Sequence, residues 1–474
     1  NLAMNKGTGN KILFFFLVLK ISCIIFLKEI ILGPARSYVF AFSKLVLIRK
    51  GNAGIYCGKN EDRKFFSSDV YGLVEETRNI FEIQKDTFSV INMFSNNSKL
   101  KLNNIFLKSK TEIKNELFKN VNLSTRDVSK KNFPYYLQKE IYETKDIVNK
   151  TINTYLHSDN TNKKKNLFIE NAFKKMKPLM INFKKNKIDH IIITGMGTCF
   201  TAANHIASYM KKKLSDCLPY TRIESQLASE SSAFSLKKEM KKTLIIAIAQ
   251  SGTTKDTNVF LELAKKRGAK TISLLNKRNG DISYITDLVF YIGDGRDIEI
   301  AVPSTKTFTA HILLGYIFTL YIKDKIDRNK IIDKDLNEIY KVPKIISKTL
   351  KSFKKSDSPN LYSTVINYKN WFVSYDDESK KYSSEEIRIK LSECCYRSLL
   401  NINIEEIVKY QIHNSVIIYN VGYDLKKFKD KINLLINKNN FVILIGLKKN
   451  LRNIKNDKKI FKLYNPNVRK NFYP

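Results

Sequence analysis

The sequence predicts an α/β protein: two successive domains, each a parallel five-stranded-like sheet flanked by helices, preceded by a β-rich segment. Three observations predict it. From Asp189 onward, short apolar runs (HIIITG, TLIIAIA, TISLLN, DLVFYIG) alternate with helical patterns, the signature of a parallel sheet with helical faces. The alternation returns more weakly in NWFVSY, SVIIYN and FVILIGL. Upstream of residue 95, strand-like runs follow one another with turns and no intervening helix.

Taken in order, KILFFFLVLKISCIIFLKEIILG (residues 11–33) reads as a buried strand or helix, with a signal-type apolar region as the alternative. Lys20 and Lys28 interrupt it, so no transmembrane span of about 20 residues is expected. Residues 35–95 are strand-rich, and residues 96–131 are polar and poorly periodic, as in a linker or insert. FPYYLQKEIYETKDIVNKTINTYL (residues 133–156) has the spacing of an amphipathic helix. The first strand–turn–helix unit is HIIITGMGTCFTAANHIASYMKKKL, and TLIIAIAQSGTTKDTNVFLELAKKRG repeats it, with Gly268 as its stop. DGRDIEIAVPSTKTFTAHILLGYIFTLYI then gives a loop and a long apolar helix. After a polar helical stretch near 330–356, SSEEIRIKLSECCYRSLL reads as the helix following NWFVSY. The boundaries implied are 1–95, 96–160 (a linker with a helix), 161–330 and 331–474.

The chain has 474 residues and a net charge of +38, from 83 Lys+Arg against 45 Asp+Glu. Nucleic-acid binding is not expected, because the cations are mostly Lys scattered among Asn and Ile, whereas phosphate and base readout favours the planar Arg fork. The 6 cysteines form no CxxC and no zinc spacing, which points to a reducing, cytoplasmic setting and to no metal site.

The chemistry gathers at strand ends. In an open parallel sheet, ligands bind beyond the carboxyl ends of the strands, where helix N-termini offer unpaired N–H groups. Three such ends are Gly195-Met196-Gly197-Thr198-Cys199, Gln250-Ser251-Gly252-Thr253-Thr254 and Val302-Pro303-Ser304-Thr305-Lys306. Thr198, Ser251 and Thr254 can donate to a phosphate, and the glycines allow close backbone approach. The alternative is that these hydroxyls only cap helices. The chain lacks GxxxxGK[ST], and GMGTCF lacks the third glycine of a dinucleotide fingerprint, so a sugar phosphate fits better than a nucleotide. In the second repeat, Glu386, Lys390 and Glu393 fall at i, i+4 and i+7, on one helix face. A carboxylate beside a cation suits proton transfer between adjacent sugar carbons. The alternative is an exposed helix with ordinary pairs worth about 0.3–0.5 kcal/mol each.

GMGTC, AQSGTTKDT and VPSTKTFTAH resemble the signature segments of the sugar isomerase (SIS) domain in the glutamine–fructose-6-phosphate aminotransferase (glucosamine-6-phosphate synthase) family. FPYYLQKEIYE resembles the helix that introduces that family's isomerase half. GKNEDRKFFSSDVYGLVEETRNIFEI resembles the end of its glutaminase domain, and EEIRIKLSECCY resembles its catalytic helix. The resemblance implies a partial N-terminal-nucleophile glutaminase (1–95), a first SIS domain binding the sugar phosphate (161–330) and a second carrying catalysis (331–474). It implies fructose 6-phosphate and glutamine or ammonia as partners, glucosamine 6-phosphate as product, a homodimer, and no cofactor. Gly197, Thr198, Cys199, Gln250, Ser251 and Thr254 would surround the phosphate, with Val302 and Ser304 on the sugar. Glu393 would shuttle the proton, with Lys390 and Glu386 as polar partners.

The sequence also departs from the family. Cys199 and Ala249 stand where it has Ser, and Pro303 where it has Ala. The ring-opening His falls on Lys409, with His413 a helical turn later. DDESKKY replaces a glycine-rich turn, and Lys470 is the nearest counterpart of a C-terminal active-site Lys. No N-terminal nucleophilic Cys precedes residue 35; Cys23 and Cys57 read as buried inert thiols. The chain is thus a fragment, a degenerate copy or an ammonia-dependent enzyme. The alternative from another class is a non-catalytic phosphosugar-binding or regulatory protein.

Overall fold

A computed structural model describes residues 36–41, 44–49, 55–60, 64–67, 70–84, 87–92, 103–106, 119–120, 129–159, 165–234, 236–278, 280–327, 333–353, 358–422 and 429–465. Two compact units divide at Ser129/Lys130. Residues 11–33, Cys23 and Lys470 lie outside the described residues.

The N-terminal unit holds two antiparallel four-stranded sheets. One has the order β1 (Arg36–Ala41), β2 (Lys44–Arg49), β6 (Thr87–Asn92), β7 (Asn103–Phe106). The other has the order β4 (Lys64–Ser67), β3 (Tyr56–Lys59), β5 (Asn79–Glu82), β8 (Lys119–Asn120). Leu47 of the first sheet packs with Cys57 and Phe81 of the second, and Cys57 is fully buried. The polar stretch expected as a linker therefore supplies β7 and β8. Their short, Asn-rich sequences lack alternation, so pairing with preformed neighbours, not local pattern, makes them strands.

The larger unit opens with helix α1 (Tyr136–Tyr155), followed by the hairpin β9 (Leu156–Asp159) and β10 (Lys165–Phe168). α2 (Lys177–Lys184) leads into β11 (His190–Gly195), α3 (Thr198–Leu214), β12 (Arg222–Leu227) and α4 (Ala228–Phe234). Next come β13 (Thr243–Ala249), α5 (Lys255–Lys266), β14 (Lys270–Leu275), α6 (Ile282–Ile285), β15 (Leu288–Tyr291) and α7 (Lys306–Ile326). All five strands are parallel, in the order β12-β11-β13-β14-β15. β11 and β13 are buried along their whole length, as central strands covered on both faces must be. The all-round burial of α7 explains its uniformly apolar sequence.

Helix α1 closes the free edge of this sheet. The Tyr155 hydroxyl donates to the Tyr291 carbonyl at 2.8 Å and accepts from the Tyr291 N–H at 3.0 Å. The Thr151 hydroxyl accepts the Gly293 N–H at 2.8 Å, and Thr154 donates to the Gly293 carbonyl at 3.0 Å. Side-chain hydroxyls thus satisfy backbone groups that β15 would otherwise leave open.

α8 (Asp333–Phe353) and α9 (Ser358–Val365) connect to the second sheet. It runs β16 (Asn370–Tyr375), α10 (Glu378–Cys395), β17 (Leu399–Asn403), α11 (Ile404–Lys409), β18 (Ser415–Asn420), α12 (Lys429–Asn437), β19 (Phe441–Leu447), α13 (Lys448–Leu451) and β20 (Ile460–Asn465). The order β17-β16-β18-β19-β20 is parallel throughout and repeats the first sheet. The helix expected to run to Leu400 stops at Cys395, where Tyr396 turns left-handed with φ 52°, and Leu399 begins a strand. No described helix is long and apolar enough to cross a membrane.

Candidate functional site

The order of the first sheet reverses between β11 and β13, so the loops after these strands flank the crevice where such sheets bind ligands. After β11, Gly197 takes φ 53°, and an added Cβ there would meet nothing within 4 Å. The glycine is required by its backbone angle, and the space before it is open. After β13, Gly252 takes φ 71°, and a Cβ would lie 3.2 Å from the Gly280 Cα.

Capping alone does not account for the hydroxyls. Thr254 and Thr305, the N-caps of α5 and α7, make no side-chain capping bond. Ser251 Oγ accepts the Thr253 N–H at 3.3 Å and the Thr253 hydroxyl at 3.0 Å, which leaves its own proton to donate.

Helix α10 packs against α3. Ser383 Oγ lies 3.4 Å from His205 Nε2, and Tyr382 packs edge-on against the His205 ring. One helical turn further, Thr198 Oγ1 donates to Glu386 Oε1 at 3.1 Å. Lys390 Nζ stands 3.4 Å from Glu386 and 2.6 Å from Glu393. The three residues expected on one face do share it, and Lys390 bridges the two carboxylates. They differ in exposure: Glu386 is 7% exposed, while the Glu393 side chain is 39% exposed. Burial lifts the Glu386 pKa to about 7, against the opposing pull of Lys390 and of the Thr198 hydroxyl. Its Oε2 is buried without a hydrogen-bond partner among the described residues.

Cys199 follows Thr198 in the first turn of α3. Burial pushes its thiol up to about 12; a hydrogen bond with the Gln250 backbone opposes the shift, and the charges of Glu299, Glu386 and Lys390 also act on it.

The loop before α7 carries a residue that sequence reading passed over. Glu299 Oε1 accepts the Thr305 N–H at 2.6 Å and the Lys306 N–H at 3.0 Å, and its Oε2 accepts the Thr307 hydroxyl at 2.6 Å. A carboxylate of the chain itself thus fills the start of α7, so an anion is better accommodated at the first two loops. Ser304 Oγ is 2.5 Å from Thr307 Oγ1, inside this network, whereas Val302 projects 88% exposed. The sequence signal was an acidic residue a few positions before a helix start, the usual place for a charge that suits the dipole.

The corresponding mouth of the second sheet is filled as well. Asp376 Oδ2 accepts the Gly422 N–H at 2.8 Å and the Tyr419 hydroxyl at 3.0 Å. DDESKKY is the start of α10, with Asp377 accepting the Ser379 N–H at 2.8 Å as its N-cap. Lys409 ends α11 and is exposed, and exposed His413 lies two residues before β18 begins at Ser415, at the amino edge of its sheet. Within this chain, the structure does not bring either to the carboxyl edge.

Residues 185–321 match the SIS domain family, so the first sheet with its three loops is a SIS domain. Over about 60% of its length the chain is similar to glutamine–fructose-6-phosphate aminotransferases (isomerizing). It is 29% identical to that of Fusobacterium nucleatum over 314 residues, which is 65% of this chain and 47% of the relative. To that of Clostridium tetani it is 30% identical over 280 residues, 59% of this chain and 41% of the relative. The chain thus spans less than half the length of these curated relatives. The solved C-terminal domain of glucosamine-fructose-6-phosphate aminotransferase from Francisella tularensis has the same fold. It superimposes with a TM-score of 0.59 at 22% identity, covering 71% of this chain and 90% of that one.

Proposed function

We propose that the chain binds fructose 6-phosphate at the carboxyl edge of the first sheet and converts it to glucosamine 6-phosphate, with nitrogen from glutamine or ammonia. The Thr198–Glu386 hydrogen bond carries this reading, because it joins a phosphate-type loop to the acid–base helix. Gly197, Thr198, Cys199, Gln250, Ser251 and Thr254 receive the phosphate, and Val302 and Ser304 face the sugar. Ammonia condenses with the C2 carbonyl, whose oxygen leaves as water, and the resulting C2 imine acidifies the neighbouring C1–H. A carboxylate of the Glu386–Lys390–Glu393 face takes that proton from C1, the electron pair forms the C1=C2 bond as the imine nitrogen gains a proton, and the proton returns to C2 while the C1 hydroxyl loses its own to become the aldehyde. The Lys390 ammonium steadies the negative charge that develops in between. Residues 1–95 are read as part of a glutaminase, and the working form as a cytoplasmic homodimer.

A second reading is a non-catalytic phosphosugar-binding protein. The Asp376-filled mouth and the distance of His413 from the carboxyl edge favour it. Incubating the protein with fructose 6-phosphate and ammonium separates the two: glucosamine 6-phosphate forms under the first reading alone. A sugar-phosphate-induced rise in melting temperature is expected under both, and its absence would remove both.

A further inference from the structure

The exposed tip of the loop before α7 is held from two sides. Behind it, Glu299 fixes Thr305 and Lys306. Ahead of it, Glu140 of helix α1 reaches across 160 positions: Oε1 accepts the Ile300 N–H at 2.6 Å and the Ala301 N–H at 3.2 Å, and Oε2 lies 3.3 Å from the Ala301 nitrogen. Glu140 is only 1% exposed. The same helix pins both flanks of the loop, through Lys150–Asp297 at 2.7 Å and Glu143–Lys306 at 2.9 Å. Val302 through Ser304 thus project from a backbone clamped immediately before and after them.

We propose that Glu140 is a positioning residue for sugar binding: it fixes the Ile300–Ala301 backbone so that the tip from Val302 to Ser304 stays presented to the ligand. This rests on the proposed sugar site. A carboxylate serves here because it takes two adjacent N–H groups at once in a buried setting, which water cannot replace. Without it the two amides must find other acceptors, and the loop tip shifts.

Calorimetric titration of the full chain with fructose 6-phosphate tests this, using Glu140→Gln beside Thr154→Val. Thr154→Val removes a bond from the same helix to Gly293, away from the loop tip. Glu140→Gln should weaken binding about tenfold, the scale of replacing charge-assisted hydrogen bonds by neutral ones. Thr154→Val should lower the melting temperature and leave the dissociation constant within about twofold. Equal weakening by both variants, or none with Glu140→Gln, overturns the proposal. Should Glu140→Gln fail to fold, Glu140→Asp takes its place. Independently, hydrogen exchange in the ligand-free protein should show the Ile300 and Ala301 amides protected; fast exchange there overturns the proposal. Absence of binding by the unsubstituted chain would defeat the sugar site itself, while the exchange result still decides whether Glu140 holds the loop.

Discussion

Thr198 and Glu386 stand 188 positions apart in the chain and share a hydrogen bond of 3.1 Å. Each belongs to a different sheet-and-helix repeat. The bond sets a carboxyl group, lifted to a pKa of about 7 by burial, against the loop that opens the first repeat.

That lifted pKa has a stability consequence. The ordinary value is 4.5, so between pH 4.5 and about 7 the folded chain holds a proton that the unfolded chain has lost. The contribution is fully present below pH 4.5 and is lost as pH rises through about 7, with a magnitude up to about 3 kcal/mol. Glu386→Gln mimics the protonated form and should flatten this decline. Melting temperatures of the two proteins from pH 5 to 8 should diverge, with the variant the more stable at pH 8. Parallel curves would contradict the assignment.

The first two loops should carry phosphate binding. Ser251→Ala combined with Thr254→Ala is expected to abolish the rise in melting temperature produced by fructose 6-phosphate, and to change the unliganded melting temperature little. Neither hydroxyl serves as a helix cap, so the fold loses little with them. A retained shift would relocate the phosphate.

Cys199 should behave as a neutral, unreactive thiol. With its pKa pushed up to about 12, it should resist a thiolate-specific reagent at pH 8, while the exposed Cys395 is labelled. Mass mapping of the labelled peptides checks this. Cys199→Ser should tighten sugar-phosphate binding by about 5- to 10-fold, the worth of one added hydrogen bond. Weaker binding would mean that the hydroxyl does not face the ligand.

Asp376 should matter for stability alone. Asp376→Ala strips the Gly422 N–H and the Tyr419 hydroxyl of their acceptor and should cost about 1–3 kcal/mol in denaturant unfolding. The affinity for fructose 6-phosphate should not change. A weakened affinity would place ligand at the second mouth too.

The interior of the two parallel sheets was legible in the sequence, and of their four edge strands only β15, within DLVFYIG, was. β11, β13, β14, β16, β18 and β19 are apolar because neighbours cover them on both sides. The strands that escaped sequence reading, β12 (RIESQL), β17 (LLNIN) and β20 (IFKLYN), are all edge strands, half-exposed and mixed in polarity. Charge on an edge discourages unwanted pairing and also hides the strand's pattern. At the site, the helical spacing of Glu386, Lys390 and Glu393 was readable because it is local. Which of them is buried was not, because α3 supplies the cover from 188 positions away. Glu140 escaped for a related reason: it acts on backbone N–H groups 160 positions away, which leave no mark on composition or period.

The hydroxyl ladder from α1 onto Tyr291 and Gly293 bears on how the protein can be dissected. A fragment begun at residue 161, where the strand–helix alternation suggests a clean cut, would bare the flank of β15 and invite self-association into ribbons. A recombinant piece meant to stay dispersed has to start ahead of Tyr136, carrying with it a helix that belongs by sequence to the connector and by hydrogen bonding to the sheet.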